Sequence, residues 1–255
     1  MKIVVAVTNV IDLTQPYHIP TEESKLTSYV PTLNPWDEFA LEAALQIKEK
    51  YGAELIAISV GELQQESALR KALALGCDSA LRIENDSKSL RNDQIASILA
   101  AAIRKIGDID IAFCGRQSID IENGTTASML AERLNWPYLS LISKVEAINH
   151  GIFTAQKSFF NQLLTISVQF PIVVSASKEF GEARFPSFMG MRRAARAVIE
   201  SWPLLDLGLE LNQIFQADSR IEKIVTGPIL HQLISEENEV NIANILDQKV
   251  SEALS

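Results

Sequence analysis

The stretch "IDIAFCGRQSIDIENGTTASMLAERL" (residues 109–134) predicts the fold of this chain. It begins with an apolar run of strand length that stops at Gly115, continues through mostly polar or small residues, and resumes a helical pattern near Ser128. A strand, a small polar loop and a helix in this order are typical of α/β proteins that hold a phosphate. This loop has neither a GxGxxG motif nor a Walker lysine, and it contains two acids, Asp120 and Glu122.

The same alternation of strand and helix precedes this stretch. Predicted strands cover 2–7, 54–61, 79–83 and 109–115, and predicted helices cover 34–52, 66–78, 92–107 and 127–137. The connections are short, which implies right-handed crossovers and a parallel sheet covered by helices on both faces. We therefore predict an α/β, Rossmann-like fold.

The pattern changes on either side of this core. Residues 12–33 predict an excursion with the character of a hairpin, and residues 141–148, 151–159 and 163–177 predict an antiparallel flap that returns to a buried strand at 172–176. Residues 178–200 are expected to be irregular and then basic. We expect one domain over residues 1–200 and a C-terminal extension over 201–255, with an amphipathic helix at its end and a role in contacting a partner.

Composition excludes several classes of protein. The 255 residues carry a formal charge of −9, which argues against a nonspecific nucleic-acid binder. The two cysteines and three histidines do not fall in CxxC or HxxH spacing, so we predict neither a structural zinc nor a disulfide framework. Because no apolar run reaches about 18 residues and the chain starts with a strand pattern, a soluble cytosolic protein is expected.

The polar residues at predicted strand ends suggest a binding site. Ligands of open parallel sheets lie beyond the carboxyl ends of the strands. These ends are Ala6 to Asn9, Val60 with Gly61, and the loop that starts at Gly115. Asn34 is expected to cap the helix that follows it, and the free N–H groups of that helix suit an anion. No Ser-His-Asp set, Cys-His set or pair of catalytic carboxylates is apparent in the sequence.

The order and spacing of several motifs resemble the beta subunit of electron-transfer flavoproteins. The motifs are "KIVVAV", "NPWDEFALEAAL", "LRKALALGCDSALRI", "GRQSID", "LNWP" and "FPIVVSASKEFGEARFPSF", and they extend over roughly residues 1–200. The resemblance implies a Rossmann-like, adenine-nucleotide alpha-hydrolase-like fold. It also implies an electron carrier without catalytic residues of its own, located in the cytoplasm, or in the mitochondrial matrix if the source is eukaryotic.

The resemblance further implies cofactors and partners. The alpha subunit of the heterodimer supplies most contacts to the electron-carrying FAD, and the beta subunit binds AMP structurally, or a second FAD in some branches. Redox partners are flavin dehydrogenases or a quinone reductase. The implied nucleotide site comprises Ala6, Asn34, Pro35, Trp36, Asp37, Val60, Gly115, Arg116, Gln117, Ser118, Ile119, Asp120, Ile121, Glu122, Asn123, Gly124, Thr125 and Thr126. The implied docking residues are Glu182, Arg184, Phe185, Phe188 and Met189.

Some positions depart from the family pattern. Thr125, Thr126 and Ala127 replace the usual Gln, Thr or Val, and Gly, and Ala127 would be strained if that position required a positive φ. Three hypotheses about the function remain open. They are an electron-carrier subunit with AMP or a second FAD, a stand-alone adenine-nucleotide-binding module, and a structural partner with an empty site.

Overall fold

The computed structural model of this chain describes residues 1–12, 14, 30–85 and 90–209. Helices in these ranges are α1 (Pro35–Tyr51), α2 (Glu66–Leu75), α3 (Asn92–Ile106), α4 (Thr126–Leu134) and α5 (Phe188–Arg196). Strands are β1 (Lys2–Ala6), β2 (Asn9–Ile11), β3 (Pro31–Leu33), β4 (Glu54–Gly61), β5 (Ser79–Glu84), β6 (Ile111–Cys114), β7 (Tyr138–Ile142), β8 (Lys144–Asn149), β9 (Ile152–Phe159), β10 (Gln162–Gln169), β11 (Ile172–Ala176) and β12 (Glu200–Pro203). Short 3-10 helices lie at Leu63–Gln65, Lys178–Phe180 and Leu204–Leu207.

A parallel sheet with the strand order β12-β5-β4-β1-β6-β11-β7 forms the centre of the molecule. Its central strands are apolar on both sides, and Ile3, Val4 and Val5 of β1 are all buried. α1 and α2 cover one face of the sheet, and α3 and α4 cover the other, with one apolar cluster under each pair. The predicted α/β, Rossmann-like fold is confirmed.

The antiparallel parts are small. β8, β9 and β10 form a three-stranded flap, and β2 pairs with β3 at the two ends of the predicted excursion, whose middle lies outside the described residues. The prediction of one strand over 141–148 is wrong. Tyr138–Ile142 belongs to the main sheet, where Ser175 Oγ accepts the N–H of Leu141 at 3.0 Å, and the chain leaves the sheet at Ser143 to begin the flap.

The segment after 178 is more regular than predicted. α5 starts at Phe188, and its first turn is capped because Ser187 Oγ accepts the N–H of Gly190 at 3.0 Å. A Cβ added at Gly190 would lie 2.2 Å from the carbonyl oxygen of Ala74, so glycine allows α5 to approach α2 closely.

The described part of the expected C-terminal extension belongs to the sheet. β12 spans the expected boundary at residues 200 and 201 and pairs with β5, and Leu204 beyond it is buried. Residues 201–209 therefore belong with the preceding fold. The expected terminal helix lies outside the described residues. No helix in the described part of the chain is long and apolar enough to cross a membrane.

Candidate functional site

A cleft lies at the carboxyl ends of β1, β4 and β6, where the sequence predicted a ligand. One side is apolar and is formed by Ile58 and Val60 of β4 together with Ile95 and Leu99 of α3. The other side is polar and is formed by Thr8, Asn34, Asp37 and the loop between β6 and α4. The cleft therefore presents an apolar wall opposite a wall of hydrogen-bonding groups.

Asp37 is a buried acid that joins the polar wall. Its Oδ2 atom accepts the backbone N–H of Thr8 at 2.9 Å. Burial raises the pKa of its carboxyl to about 7, against the lowering effect of hydrogen bonds from Thr8, Asn34 and Gly115, while the charge of Asp120 raises it further. The carboxylate is thus used mainly to hold strand-end backbone together.

Gly115 brings the loop against the start of α1. A Cβ at this position would lie 2.2 Å from Asp37 Oδ1 and 2.8 Å from the carbonyl carbon of Trp36, closer than packed atoms approach. Only glycine leaves room for the N–H of residue 115 beside the Asp37 carboxyl. The glycine that ends β6 therefore positions the entire loop.

Asn34 does not cap α1 with its side chain as predicted. Its Nδ2 instead donates to the carbonyl oxygen of Gln117 at 2.8 Å, and its backbone N–H donates to the carbonyl of Thr8 at 2.9 Å. Asn34 is 1% exposed, and its Oδ1 has no partner among the described residues. Asn34 lines the cleft, and a buried amide oxygen without a partner is rare enough in folded proteins to need an explanation.

The loop itself carries few charges toward the cleft. Among the described residues that line the cleft, Arg116 alone is cationic, and its guanidinium lies 5.1 Å from the ring centre of Trp36. Asp120 and Glu122 are both exposed, and Glu122 has a φ of 57°. Gly124 follows with a φ of 62°, which fits its predicted role in letting the backbone turn tightly.

The loop ends at α4 with free helix N–H groups. The Nδ2 of Asn92 donates to Thr125 Oγ1 at 2.8 Å and links the start of α3 to the end of the loop. α4 starts at Thr126, and Thr126 and Ala127 of its first turn both line the cleft. Ala127 lies inside the helix and has no positive φ, so the steric strain considered for this position does not arise.

The structure brings most of the predicted nucleotide-site residues to this cleft. Those that line it are Ala6, Asn34, Asp37, Val60, Gly115, Arg116, Gln117, Ser118, Asp120, Ile121, Asn123, Gly124 and Thr126. Pro35, Trp36, Ile119, Glu122 and Thr125 lie in the same segments but do not line it. Val7 and Thr8, within the predicted strand end Ala6 to Asn9, also line it. Further lining residues that the sequence did not indicate are Ile58, Ser59, Asn92, Ile95, Leu99, Cys114 and Ala127.

Gln65 was not predicted either, although its side chain contacts the ends of two strands that form the cleft. Its Oε1 accepts the backbone N–H of Asn9 at 2.8 Å, and lies 3.2 Å from Ser59 Oγ and 3.3 Å from Thr8 Oγ1. One side chain thereby joins the ends of β1 and β4. No sequence motif marks such a residue, because its role arises only when these strands lie side by side.

Comparison with known proteins identifies the family. A family model described as "Electron transfer flavoprotein domain" matches residues 28–207. The chain belongs to the electron transfer flavoprotein family.

Relatives with similar sequences include beta subunits and FixA proteins. The electron transfer flavoprotein subunit beta of Bacillus subtilis (strain 168) is 35% identical over 180 residues, which are 70% of this chain and 69% of the relative. The corresponding subunit of Thermoanaerobacterium thermosaccharolyticum is 34% identical over 196 residues, 76% of this chain and 75% of the relative. Protein FixA of Azorhizobium caulinodans is 32% identical over 220 residues, 82% of this chain and 78% of the relative. The resemblance read from the motifs is confirmed.

In this electron transfer flavoprotein homologue, the segment predicted to dock a partner has two kinds of residue. Phe185, Phe188 and Met189 are 94%, 75% and 67% exposed. Arg184 is instead engaged with α1, where its Nε lies 2.8 Å from Glu42 Oε2 and its second terminal nitrogen lies 3.2 Å from Glu49 Oε2. Glu182 is exposed. Arg184 thus anchors the segment whose neighbouring apolar side chains face solvent.

Proposed function

We propose that this chain is the beta subunit of a heterodimeric electron transfer flavoprotein, and that its cleft binds AMP as a structural ligand. Together with an alpha subunit, the chain would help to hold the FAD that carries electrons between flavin dehydrogenases and a downstream acceptor such as a quinone reductase. The observation that carries the nucleotide assignment is the buried Oδ1 of Asn34, an acceptor without a partner among the described residues, at the edge of a strand-end cleft.

The charges around the cleft favour a single phosphate. Arg116 is opposed by Asp37 and Asp120 within the same lining, so the described residues provide no positive excess for a triphosphate. Neutral donors are better represented, because Ser118, Thr126 and the first-turn N–H groups of α4 can all reach an anion in this region. This supports a nucleoside monophosphate over a stand-alone triphosphate-binding module.

The apolar wall suits a flat aromatic base. Ile58, Val60, Ile95 and Leu99 offer aliphatic surface on which a purine can lie, and the Asn34 amide can accept a hydrogen bond from the exocyclic amine or from a sugar hydroxyl. The adenylate half of FAD carries the same groups. A second FAD in this cleft is therefore the alternative within the same chemistry.

In this assignment the chain positions ligands and supplies no reacting group. A bound flavin would provide the redox chemistry, and the residues of this chain would hold the nucleotide and the partner. The two cysteines fit this view because both are buried and free, and burial raises the pKa of each thiol to about 12, which suppresses the reactive thiolate.

Native mass spectrometry of the chain copurified with its cognate alpha subunit tests the proposal. The expected result is a one-to-one complex with one FAD and one AMP. Two FAD molecules and no AMP would select the second-FAD alternative. A complex with FAD but no further nucleotide would contradict nucleotide binding in the cleft. Failure to associate with the alpha subunit would contradict the assignment as a beta subunit.

A further inference from the structure

Helix α5, which begins at the exposed Phe188, has little stability of its own. It has 9 residues, and of these, all of which the structure describes, only Ala194 is buried. Isolated helices shorter than about 12–15 residues are marginal in water, and a glycine inside a helix is destabilising relative to alanine. The helix also carries three arginines and no acid. α5 therefore depends on contacts with the rest of the fold.

α5 packs against α2, and the two helices run in opposite directions. Gly190, near the start of α5, lies beside Ala74, near the end of α2, whereas Ala194, further along α5, lies beside Arg70, earlier in α2. A Cβ at residue 190 would lie 2.2 Å from the carbonyl oxygen of Ala74, so the two backbones approach each other directly. The start of α5 is thereby placed on the end of α2.

Two arginines join these helices near their carboxyl ends. Arg193 of α5 donates to the carbonyl oxygen of Leu73, in the last turn of α2, at 3.4 Å. Arg70 of α2 donates in return to the carbonyl oxygens of Ala194 and Ala197, at the end of α5, at 3.0 and 3.3 Å. The last four carbonyls of a helix lack the usual partner within it, and that end of the helix dipole favours a cation. Each helix thus supplies a donor to the end of the other.

The end of α5 has no glycine turn to close it. Ala197, the residue that follows the helix, is extended, with a φ of −66° and a ψ of 140°. Many helices end instead with a glycine in the left-handed conformation, whose turn brings backbone N–H groups back to the last carbonyls. At the end of α5, the guanidinium of Arg70 takes the place of such a turn as a donor to these carbonyls.

The Arg70 side chain is itself held in position. Glu66, one turn earlier on α2, lies 3.6 Å from the second terminal nitrogen of Arg70 and 3.5 Å from Nε of Arg82 on β5. Arg82 is 8% exposed, so a buried cation directs the Glu66 carboxylate. The planar guanidinium of Arg70 therefore contacts a carboxylate and two carbonyl oxygens, an arrangement that a lysine ammonium reproduces only in part.

We propose that Arg70 is a positioning residue for electron transfer, which holds α5 on α2 and thereby keeps Phe188 and Met189 oriented toward the redox partner. This inference rests on the proposed function as an electron carrier. Both side chains are exposed, so their direction follows from the helix that carries them. Arg70 does not touch the partner and acts through the backbone of α5. A segment that is ordered before it binds loses less conformational entropy on association.

Hydrogen exchange measured by mass spectrometry tests whether Arg70 holds α5. Peptides covering residues 188–197 are compared in the complex with the cognate alpha subunit, for the wild type, Arg70→Met, Arg70→Lys and Lys71→Met. Lys71 is the matched control, because it is the next residue of α2, carries the same charge and pairs with Glu38 of α1 instead. We expect exchange to be about tenfold faster for Arg70→Met, less accelerated for Arg70→Lys, which keeps a cation at the helix end, and unchanged for Lys71→Met.

Electron transfer from a flavin dehydrogenase that reduces the wild-type complex tests the consequence. For Arg70→Met we expect the KM for this partner to rise about three- to tenfold and kcat at saturating partner to stay within about twofold, since a displaced α5 weakens association without altering the flavin. Arg70→Lys should recover part of the loss, and Lys71→Met should match the wild type. Flavin and nucleotide content should be unchanged in all three variants.

The outcomes separate this inference from the proposed function. Unchanged exchange in α5 for Arg70→Met would overturn the inference, because Arg70 would then not hold the helix. Faster exchange with an unchanged KM would also overturn it, because docking would not depend on the position of α5. Loss of flavin or nucleotide would indicate a general structural role and overturn it as well. A wild-type complex that binds no flavin and accepts no electrons would contradict the proposed function, on which the inference rests.

Discussion

The backbone N–H of Thr8 donates to Asp37 Oδ2 at 2.9 Å, which joins the end of β1 to the first turn of α1. The same carboxyl lies where a side chain on residue 115 would collide. One buried acid therefore determines how two segments of the cleft meet. Its protonation and its neighbours are accessible to direct tests.

Asp37→Asn is expected to change how stability depends on pH. The carboxyl has a pKa of about 7 in the fold and 3.8 as its ordinary value. Between about pH 4 and pH 7 the folded protein keeps a proton that the unfolded chain releases, so this group lowers the free energy of unfolding as pH rises. Urea unfolding at several pH values should show this fall in the wild type and a smaller one in the variant. Parallel curves would show that Asp37 titrates normally.

Gly115→Ala is expected to disrupt the cleft. The added methyl group would collide with Asp37 and with the backbone at Trp36, and relieving such overpacking costs about 1–3 kcal/mol. We expect a lower melting temperature and weaker retention of nucleotide in the purified complex. Ser128→Ala is the control, because Ser128 is exposed on α4, does not line the cleft, and loses only a hydroxyl in this variant.

Gly124→Val is expected to weaken nucleotide retention. The position has a φ of 62°, which β-branched residues adopt only with strain. Gly124→Asn is the matched comparison, since asparagine tolerates this conformation better than valine does. The ratio of bound nucleotide to protein measures the effect. If both variants kept the nucleotide content of the wild type, the backbone conformation at residue 124 would not determine binding.

Arg184→Met is expected to destabilise the fold. Burial opposes ionisation of Glu42, but hydrogen bonds and the charge of Arg184 outweigh it and keep the pKa of Glu42 below its usual value. Removing the guanidinium would leave this carboxylate uncompensated, which costs about 1–3 kcal/mol at neutral pH and less in acid, where Glu42 protonates. Glu49→Gln serves as the control because Glu49 is largely exposed. Thermal melting at pH 5 and pH 8 is the measurement. Arg184→Met should lower the melting temperature more at pH 8 than at pH 5, and Glu49→Gln should change it little at either pH.

Phe188→Ala is expected to impair electron transfer without unfolding the protein. Phe188 begins α5 and is 75% exposed, so the fold gains little from its ring, whereas an aromatic side chain at a small interface contributes strongly to binding. Transfer with the cognate redox partner should fall several-fold, while flavin content and melting temperature stay near the wild type. Val198→Ala, at another exposed apolar residue, should leave transfer unchanged. A large drop in melting temperature for Phe188→Ala would identify it as a core residue.

The elements that the sequence predicted best are those whose pattern reflects local burial. The valine run of β1 and the periodic apolar residues of α3 signal their structures without tertiary information. β12 and α5 were missed for opposite reasons. β12 contains Trp202 and Pro203 and acquires its strand form by pairing with β5, whereas α5 contains Gly190, which resembles a loop residue until Ala74 is seen beside it.

The cleft follows the same rule. Its polar loop was predictable, because a dense run of glycine, hydroxyl and amide residues directly after an apolar strand is typical of a loop. Its apolar wall was not predictable, because the sequence pattern around Ile58 and Leu99 is that of ordinary core residues. These side chains line a cavity only because α3 packs near β4. Arg184 was predicted to dock a partner, and its ion pair with the buried Glu42 of α1 was not predicted, because nothing local in the sequence links residues 142 positions apart.

Helix α1 contacts both the cleft and the segment proposed to dock a partner. Asp37 in its first turn shapes the cleft, and Glu42 and Glu49 further along the same helix hold Arg184 at the start of the exposed apolar segment. A helix is stiff over this length, so a shift at one end displaces the other. During divergence of such proteins, changes that adapt the ligand site and changes that adapt partner choice are therefore expected to accumulate together along this helix.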